Sequence, residues 1–69
     1  MPYYRLNHNA QNNGDHEVHT TTCNWVPTSN FEDLGFHLNC QSAVQQARLR
    51  YPRAKIDGCK HCSYPCHTN

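Results

Sequence analysis

The feature that most limits the fold is a segment rich in cysteine and histidine, residues 57–67. It carries three of the five cysteines and two of the six histidines of a 69-residue sequence. The segment is too polar to form a core, and Gly58 and Pro65 favour a loop with turns. A polar loop of this composition needs a cross-link or a metal to hold it in one conformation, and in an intracellular protein a metal is the commoner solution.

The rest of the chain is too small to be stable without help. Residues 1–69 are expected to form a single small domain, and a core of that size contributes only roughly 3–5 kcal/mol. Hydrophobic residues make up 36% of the sequence, below the usual share, so an added staple is favoured. The formal net charge of +1 gives no electrostatic argument for an acidic partner.

The expected location is the cytoplasm. Residues 1–7 lack the apolar run of a signal peptide, and no segment approaches the length of a transmembrane helix, so no membrane contact is expected. Cytoplasmic thiols are normally reduced, which disfavours a disulfide framework, and an odd number of cysteines would leave one unpaired in any case.

The pattern predicts an α+β fold that begins with a small antiparallel sheet. Alternating residues predict a hairpin, with strands near Tyr3–His8 and His16–Thr22 and a turn at Asn13-Gly14. Residues 34–38 are apolar at alternate positions and predict a short third strand with Leu34, Phe36 and Leu38 directed inward.

One helix is predicted over about Cys40–Tyr51, packed on the sheet. Either Asn39 or Ser42 is a suitable N-cap, and Pro52 ends the helix. An apolar stripe would face the sheet, made of Cys40, Ala43, Val44, Ala47 and Tyr51. Cys40 is therefore interpreted as a small buried hydrophobe, and residues 54–57 as a last short strand that leads into the cysteine-rich loop.

The spacing Cys59-x-x-Cys62 predicts half of a tetrahedral zinc site, because two intervening residues let both sulfurs face one ion. Two further ligands are expected from Cys23, Cys66, His19 and His67. Reduced structural thiols or disulfides are alternatives. Thiol redox chemistry is disfavoured, since Pro65 leaves no room for the helix that usually follows a redox-active pair.

A second hypothesis is a metal-dependent hydrolase or nuclease that uses the segment His16-Glu17-Val18-His19. Helical zinc sites of this kind need histidines four residues apart, whereas these are three apart and lie on a predicted strand. Residues three apart on a regular strand lie on opposite faces, unless a bulge intervenes. The structural interpretation, in which His16 packs under the hairpin and His19 is partly exposed, is favoured.

A third hypothesis is a small nucleic-acid-binding protein. Its basic residues would be Arg5, Arg48, Arg50, Arg53, Lys55 and Lys60, with nearby aromatic rings as stacking surfaces. A solvated helix face explains the same cluster. The preferred interpretation is a binding or interaction module with a structural zinc and a protein partner; nucleic acid is the alternative partner.

Several motifs resemble a group of small uncharacterised bacterial proteins. They are Asn-Gly-Asp-His-Glu-Val-His with a cysteine four residues later, Cys-x-x-Ala-Val-x-x-Ala, and Asp-Gly-Cys-x-x-Cys-x-x-x-Cys-His-Thr. The resemblance extends from Asn13 to Thr68. It implies a bacterial setting and no particular activity, because the group has none assigned.

Overall fold

The computed structural model describes residues 3–11 and 14–67. The chain forms one four-stranded sheet and one helix, which confirms the predicted α+β class. The elements are β1 (Tyr3–Asn7), β2 (Asp15–Thr20), β3 (Phe31–Phe36), α1 (Cys40–Arg50), β4 (Lys55–Gly58) and a 3₁₀ turn (Tyr64–Cys66). No helix within the described residues combines the length and the apolar character needed to cross a bilayer.

The sheet is mixed, with strand order β3-β1-β2-β4. β1 is antiparallel to both β2 and β3, as a hairpin followed by a returning strand requires. The predicted last strand joins as β4, and it runs parallel to β2 because helix α1 carries the chain back across the sheet.

The β1–β2 hairpin supplies the centre of the core. Leu6 pairs with Val18, and the two side chains are only 2% and 0% exposed. Gly14 adopts φ +88°, a conformation that favours glycine in a turn. Asn13, the other half of the predicted Asn-Gly turn, lies outside the described residues.

Strand β3 differs from its prediction. Leu34 is buried as expected, but Phe36 is 40% exposed and Leu38 is 84% exposed, so their predicted inward orientation is wrong. Gly35 has φ +82°, and the pairing register with β1 shifts between Tyr4 and Arg5. This irregularity breaks the alternation on which the prediction relied.

Helix α1 begins at the cap that the sequence offers. Asn39, rather than Ser42, is the N-cap, because its side-chain oxygen accepts a hydrogen bond of 3.0 Å from the Ser42 amide. Four of the five stripe residues are buried in the core: Cys40, Ala43, Val44 and Ala47. Tyr51 lies just beyond the helix and is exposed; its hydroxyl donates to Glu32, which also pairs with Arg50.

A disulfide joins the helix to the C-terminal segment. Cys40 at the start of α1 is bonded to Cys66 in the 3₁₀ turn, so the interpretation of Cys40 as an unbonded hydrophobe is wrong. The two cysteines are 26 residues apart in sequence, and only the folded arrangement brings them together. The cytoplasmic location stays a prediction, and the disulfide argues against it because such bonds persist mainly in oxidising compartments.

Candidate metal centre

The three remaining cysteines and one histidine form a compact cluster. One donor atom from each of His19, Cys23, Cys59 and Cys62 lies within 4.8 Å of every other. His19 is 2% exposed and Cys59 is 1% exposed. Together these four side chains, hereafter the Cys3His cluster, can hold a metal ion.

The fold explains why residues so distant in sequence meet. His19 lies near the end of β2, and Cys23 lies in the turn that follows it; Cys59 comes directly after β4. Because β2 and β4 are parallel neighbours, their carboxyl ends lie at the same edge of the sheet. The Cys59 amide donates to the Val18 carbonyl at 3.0 Å, which continues the pairing to the first ligand of the Cys-x-x-Cys turn.

The distances between donors suit a tetrahedral ion. Cys23 Sγ lies 4.0 Å from Cys59 Sγ, and Cys62 Sγ lies 3.9 Å from His19 Nδ1. Sulfurs bound to one zinc at about 2.3 Å in tetrahedral geometry are separated by roughly 3.8 Å. Cys23, Cys59 and Cys62 are free thiols, and the Cys23–Cys59 separation is close to the edge of such a coordination tetrahedron.

Backbone amides are directed at two of the sulfurs. The Thr20 amide donates to Cys62 Sγ, and the His61 amide donates to Cys59 Sγ, both at 3.4 Å. An N–H donor stabilises a thiolate more than a neutral thiol. These bonds therefore favour the charged form of the ligand that a metal requires.

The electrostatics of the cluster differ from thiol to thiol. Burial raises the pKa of Cys23 to about 12, and the neighbouring thiols add to that effect. Burial also raises the pKa of Cys59. At Cys62 burial acts in the same direction, but hydrogen bonds from the Thr20 amide and the adjacent thiols outweigh it, so its pKa is lowered. Without a cation, these thiols cannot all ionise side by side.

His19 is in the protonation state that binds metals. Burial lowers its pKa, and the nearby His61 contributes in the same direction. The imidazole is therefore neutral at pH 7, and neutral imidazole is the ligand form. Thiolate and imidazole donors together suit zinc among the common divalent metals.

Two of the predicted ligands are not brought into the cluster. Cys66 Sγ is bonded to Cys40. His67 Nδ1 lies 3.2 Å from an Asp57 carboxylate oxygen and 3.1 Å from the Gly58 carbonyl oxygen. Of the four partners that the sequence left open, Cys23 and His19 are therefore the two that lie beside the Cys59–Cys62 pair.

His16 and His19 lie in different surroundings. His16 Nδ1 is 3.0 Å from the Asn7 carbonyl oxygen, so Nδ1 carries the proton and donates it. Its ring borders a cavity of about 300 Å³ lined also by Leu6, His8, Tyr51, Ala54 and Ile56. His19 is buried in the Cys3His cluster instead, so its predicted partial exposure is wrong. The strand alternation that separates them is regular, and no bulge brings them together.

One neighbouring contact was not predicted from the sequence. The Trp25 and His61 rings stack at 4.0 Å between centroids with an interplanar angle of 12°. Trp25 follows Cys23 by two residues, and His61 lies between Cys59 and Cys62. If Cys23 were known to lie beside Cys59 and Cys62, the sequence positions of Trp25 and His61 next to these cysteines would predict that the two rings are close.

No family model, no curated protein and no solved structure matches the chain.

Proposed function

We propose that the chain is a small binding or interaction module whose fold is held by a structural zinc ion. The observation that carries the proposal is the Cys3His cluster, in which four protein donors converge. Structural zinc sites use four protein ligands, whereas catalytic sites keep one position for water or substrate. A cluster with a complete donor set therefore favours a structural role.

Zinc binding would supply folding free energy to the part of the chain that most needs it. Residues 59–63 form no regular element and bury few apolar groups, so their order depends on cross-links. The disulfide anchors the 3₁₀ turn that follows this segment, at Cys66, and the ion would anchor the segment itself at Cys59 and Cys62. Binding free energy of the ion is then folding free energy for the loop.

The surface supports a binding role. Tyr3 and Phe36 are 54% and 40% exposed, and their rings touch edge to face at 5.9 Å between centroids. Exposed aromatic side chains are enriched where proteins meet other proteins. A protein partner is therefore preferred.

The two alternatives receive no comparable support. A hydrolase built on residues 16–19 would need His16 and His19 to bind one ion, but His16 lies outside the Cys3His cluster and contacts the Asn7 carbonyl oxygen. A nucleic-acid-binding face would need free basic groups, yet Arg5 stacks on the Phe31 ring at 4.1 Å and pairs with Asp33. Arg48 donates to the Ile56 carbonyl. Several of the basic residues are thus engaged within the fold.

The test compares two histidines that the sequence alone could not separate. We expect His19→Gln to lose high-affinity zinc binding, whereas His67→Gln should keep it, because His67 contacts Asp57 and Gly58 outside the cluster. Zinc affinity would be measured by competition with a chromophoric chelator, and Trp25 fluorescence would report the cluster, since Trp25 is the only tryptophan. Equal zinc affinity in both variants would refute the assigned ligand set.

A further inference from the structure

One carboxylate lies directly behind the histidine of the Cys3His cluster. Glu17 Oε1 is 3.4 Å from His19 Nε2, while Nδ1 of the same ring faces Cys62 Sγ at 3.9 Å. The Glu17 side chain is only 12% exposed. The two ring nitrogens of His19 therefore face opposite kinds of group, a carboxylate on one side and thiols on the other.

We propose that Glu17 is a positioning residue of the metal centre, and that its carboxylate fixes the His19 ring so that Nδ1 is the ligand atom. This inference rests on the proposed function. A carboxylate only accepts hydrogen bonds, so it selects the tautomer with the proton on Nε2. The lone pair is then on Nδ1, the nitrogen that faces the cluster.

The strand geometry explains why this carboxylate is in place. Glu17 and His19 are two residues apart on β2, so they share one face of the sheet. The neighbouring position on β4 is Asp57, which pairs with Glu17 in the register. Asp57 lies 3.2 Å from His67, so each of the two carboxylates on this face has a histidine of its own, and Glu17 serves the one in the cluster.

A carboxylate behind a ligating histidine also raises the basicity of the ring and limits its rotation. Both effects strengthen the metal–nitrogen bond without any contact between Glu17 and the metal. Loss of such a group typically weakens metal affinity about 10–100-fold. We expect Glu17→Ala to fall in this range, and Glu17→Gln to lose less, because its amide oxygen can still accept from Nε2.

The first test needs no variant. In zinc-loaded, ¹⁵N-labelled protein, long-range ¹H–¹⁵N correlation of the His19 ring should show a proton on Nε2 and a metal-bound Nδ1. A ring bound through Nε2, with the proton on Nδ1, would overturn the inference.

The second test measures zinc affinity of Glu17→Gln and Glu17→Ala beside Asp33→Asn, a control that removes an exposed carboxylate from β3. The control should match the unsubstituted protein. Should Glu17→Ala fail to fold, the assignment of the metal-bound ring nitrogen in the unsubstituted protein still decides the question. Unchanged affinity in the folded Glu17 variants would overturn the role of Glu17 while leaving the zinc site intact.

The outcomes for the two proposals are distinguishable. If the unsubstituted protein binds no zinc, the proposed function fails, and the role of Glu17 fails with it. A purely structural role for Glu17 would lower thermal stability equally with and without zinc, and it would leave the metal-bound nitrogen of His19 and the zinc affinity unchanged.

Discussion

Replacing Gly58 with alanine should destabilise the domain through a steric conflict that has no easy relief. A methyl group at this position would lie 2.6 Å from Cys66 Cβ, 2.8 Å from the Ser63 carbonyl oxygen and 2.9 Å from the Cys66 carbonyl carbon. Such separations are shorter than any normal contact, and two of the three atoms belong to the backbone.

The surrounding groups cannot move away independently. Cys66 is held by its disulfide to Cys40, and the Ser63 amide donates to the Cys59 carbonyl at 2.8 Å. Overpacking of this kind costs about 1–3 kcal/mol. For a domain of this size each kcal/mol lowers the melting temperature by about 4–8 °C, so we expect Gly58→Ala to melt about 5–20 °C lower.

The assay is thermal unfolding followed by circular dichroism, on zinc-loaded protein with the disulfide intact. Gly35→Ala provides a contrast. Gly35 has φ +82°, and among the described residues no atom lies within 4 Å of an added Cβ, so its cost would come from backbone strain alone, without disturbing the loop. Gly58→Ala should in addition weaken zinc binding. A Gly58→Ala variant with unchanged melting temperature and zinc affinity would refute the reasoning.

Three further predictions follow from single contacts. Removing the disulfide with the double variant Cys40→Ala/Cys66→Ala should cost about 3.5 kcal/mol in urea unfolding, from the loop entropy of a 26-residue separation; an unchanged midpoint would contradict the crosslink. Asn39→Ala should cost about 1 kcal/mol through loss of the helix cap, whereas Asn39→Asp should retain most of the stability, and equal losses in both would count against the cap. Glu32 accepts hydrogen bonds from the Tyr51 hydroxyl and, as the next largest effect, from the Arg50 guanidinium. These outweigh the effect of burial and lower the pKa of Glu32 below its ordinary value of 4.5. The unfolded state therefore binds more protons, so the Glu32 contribution is lost as pH falls below about 4.5, and the free energy of unfolding of Glu32→Gln should decline less steeply there.

The strands and the helix could be predicted from the sequence because each is marked by a pattern within its own residues. Alternation marked the hairpin, and the spacing of Ala43, Val44 and Ala47 marked the buried helix face. Prediction failed where tertiary geometry decided the outcome. The exposure of Phe36 and Leu38 depends on a register shift against β1 beside Gly35. A glycine within a strand indicates an irregularity, but it does not determine which of the following residues face outward.

At the candidate site, too, the locally encoded feature could be predicted and the tertiary contacts could not. The Cys59-x-x-Cys62 spacing is a local signal, so the pair could be named from the sequence. Its partners could not be chosen, because that choice depends on β4 lying parallel to β2, which brings His19 and Cys23 to the same edge. Cys66 was also a candidate by its spacing, and its bond to Cys40 depends on how the helix packs against the loop.

The most direct test of the metal centre is native mass spectrometry combined with thiol alkylation, on protein purified without chelator. We predict a mass one zinc heavier than the disulfide-bonded chain, with the three cluster thiols unreactive until a chelator removes the ion and disorders the loop. A metal-free mass, with those thiols alkylated at once and the fold intact, would contradict the account.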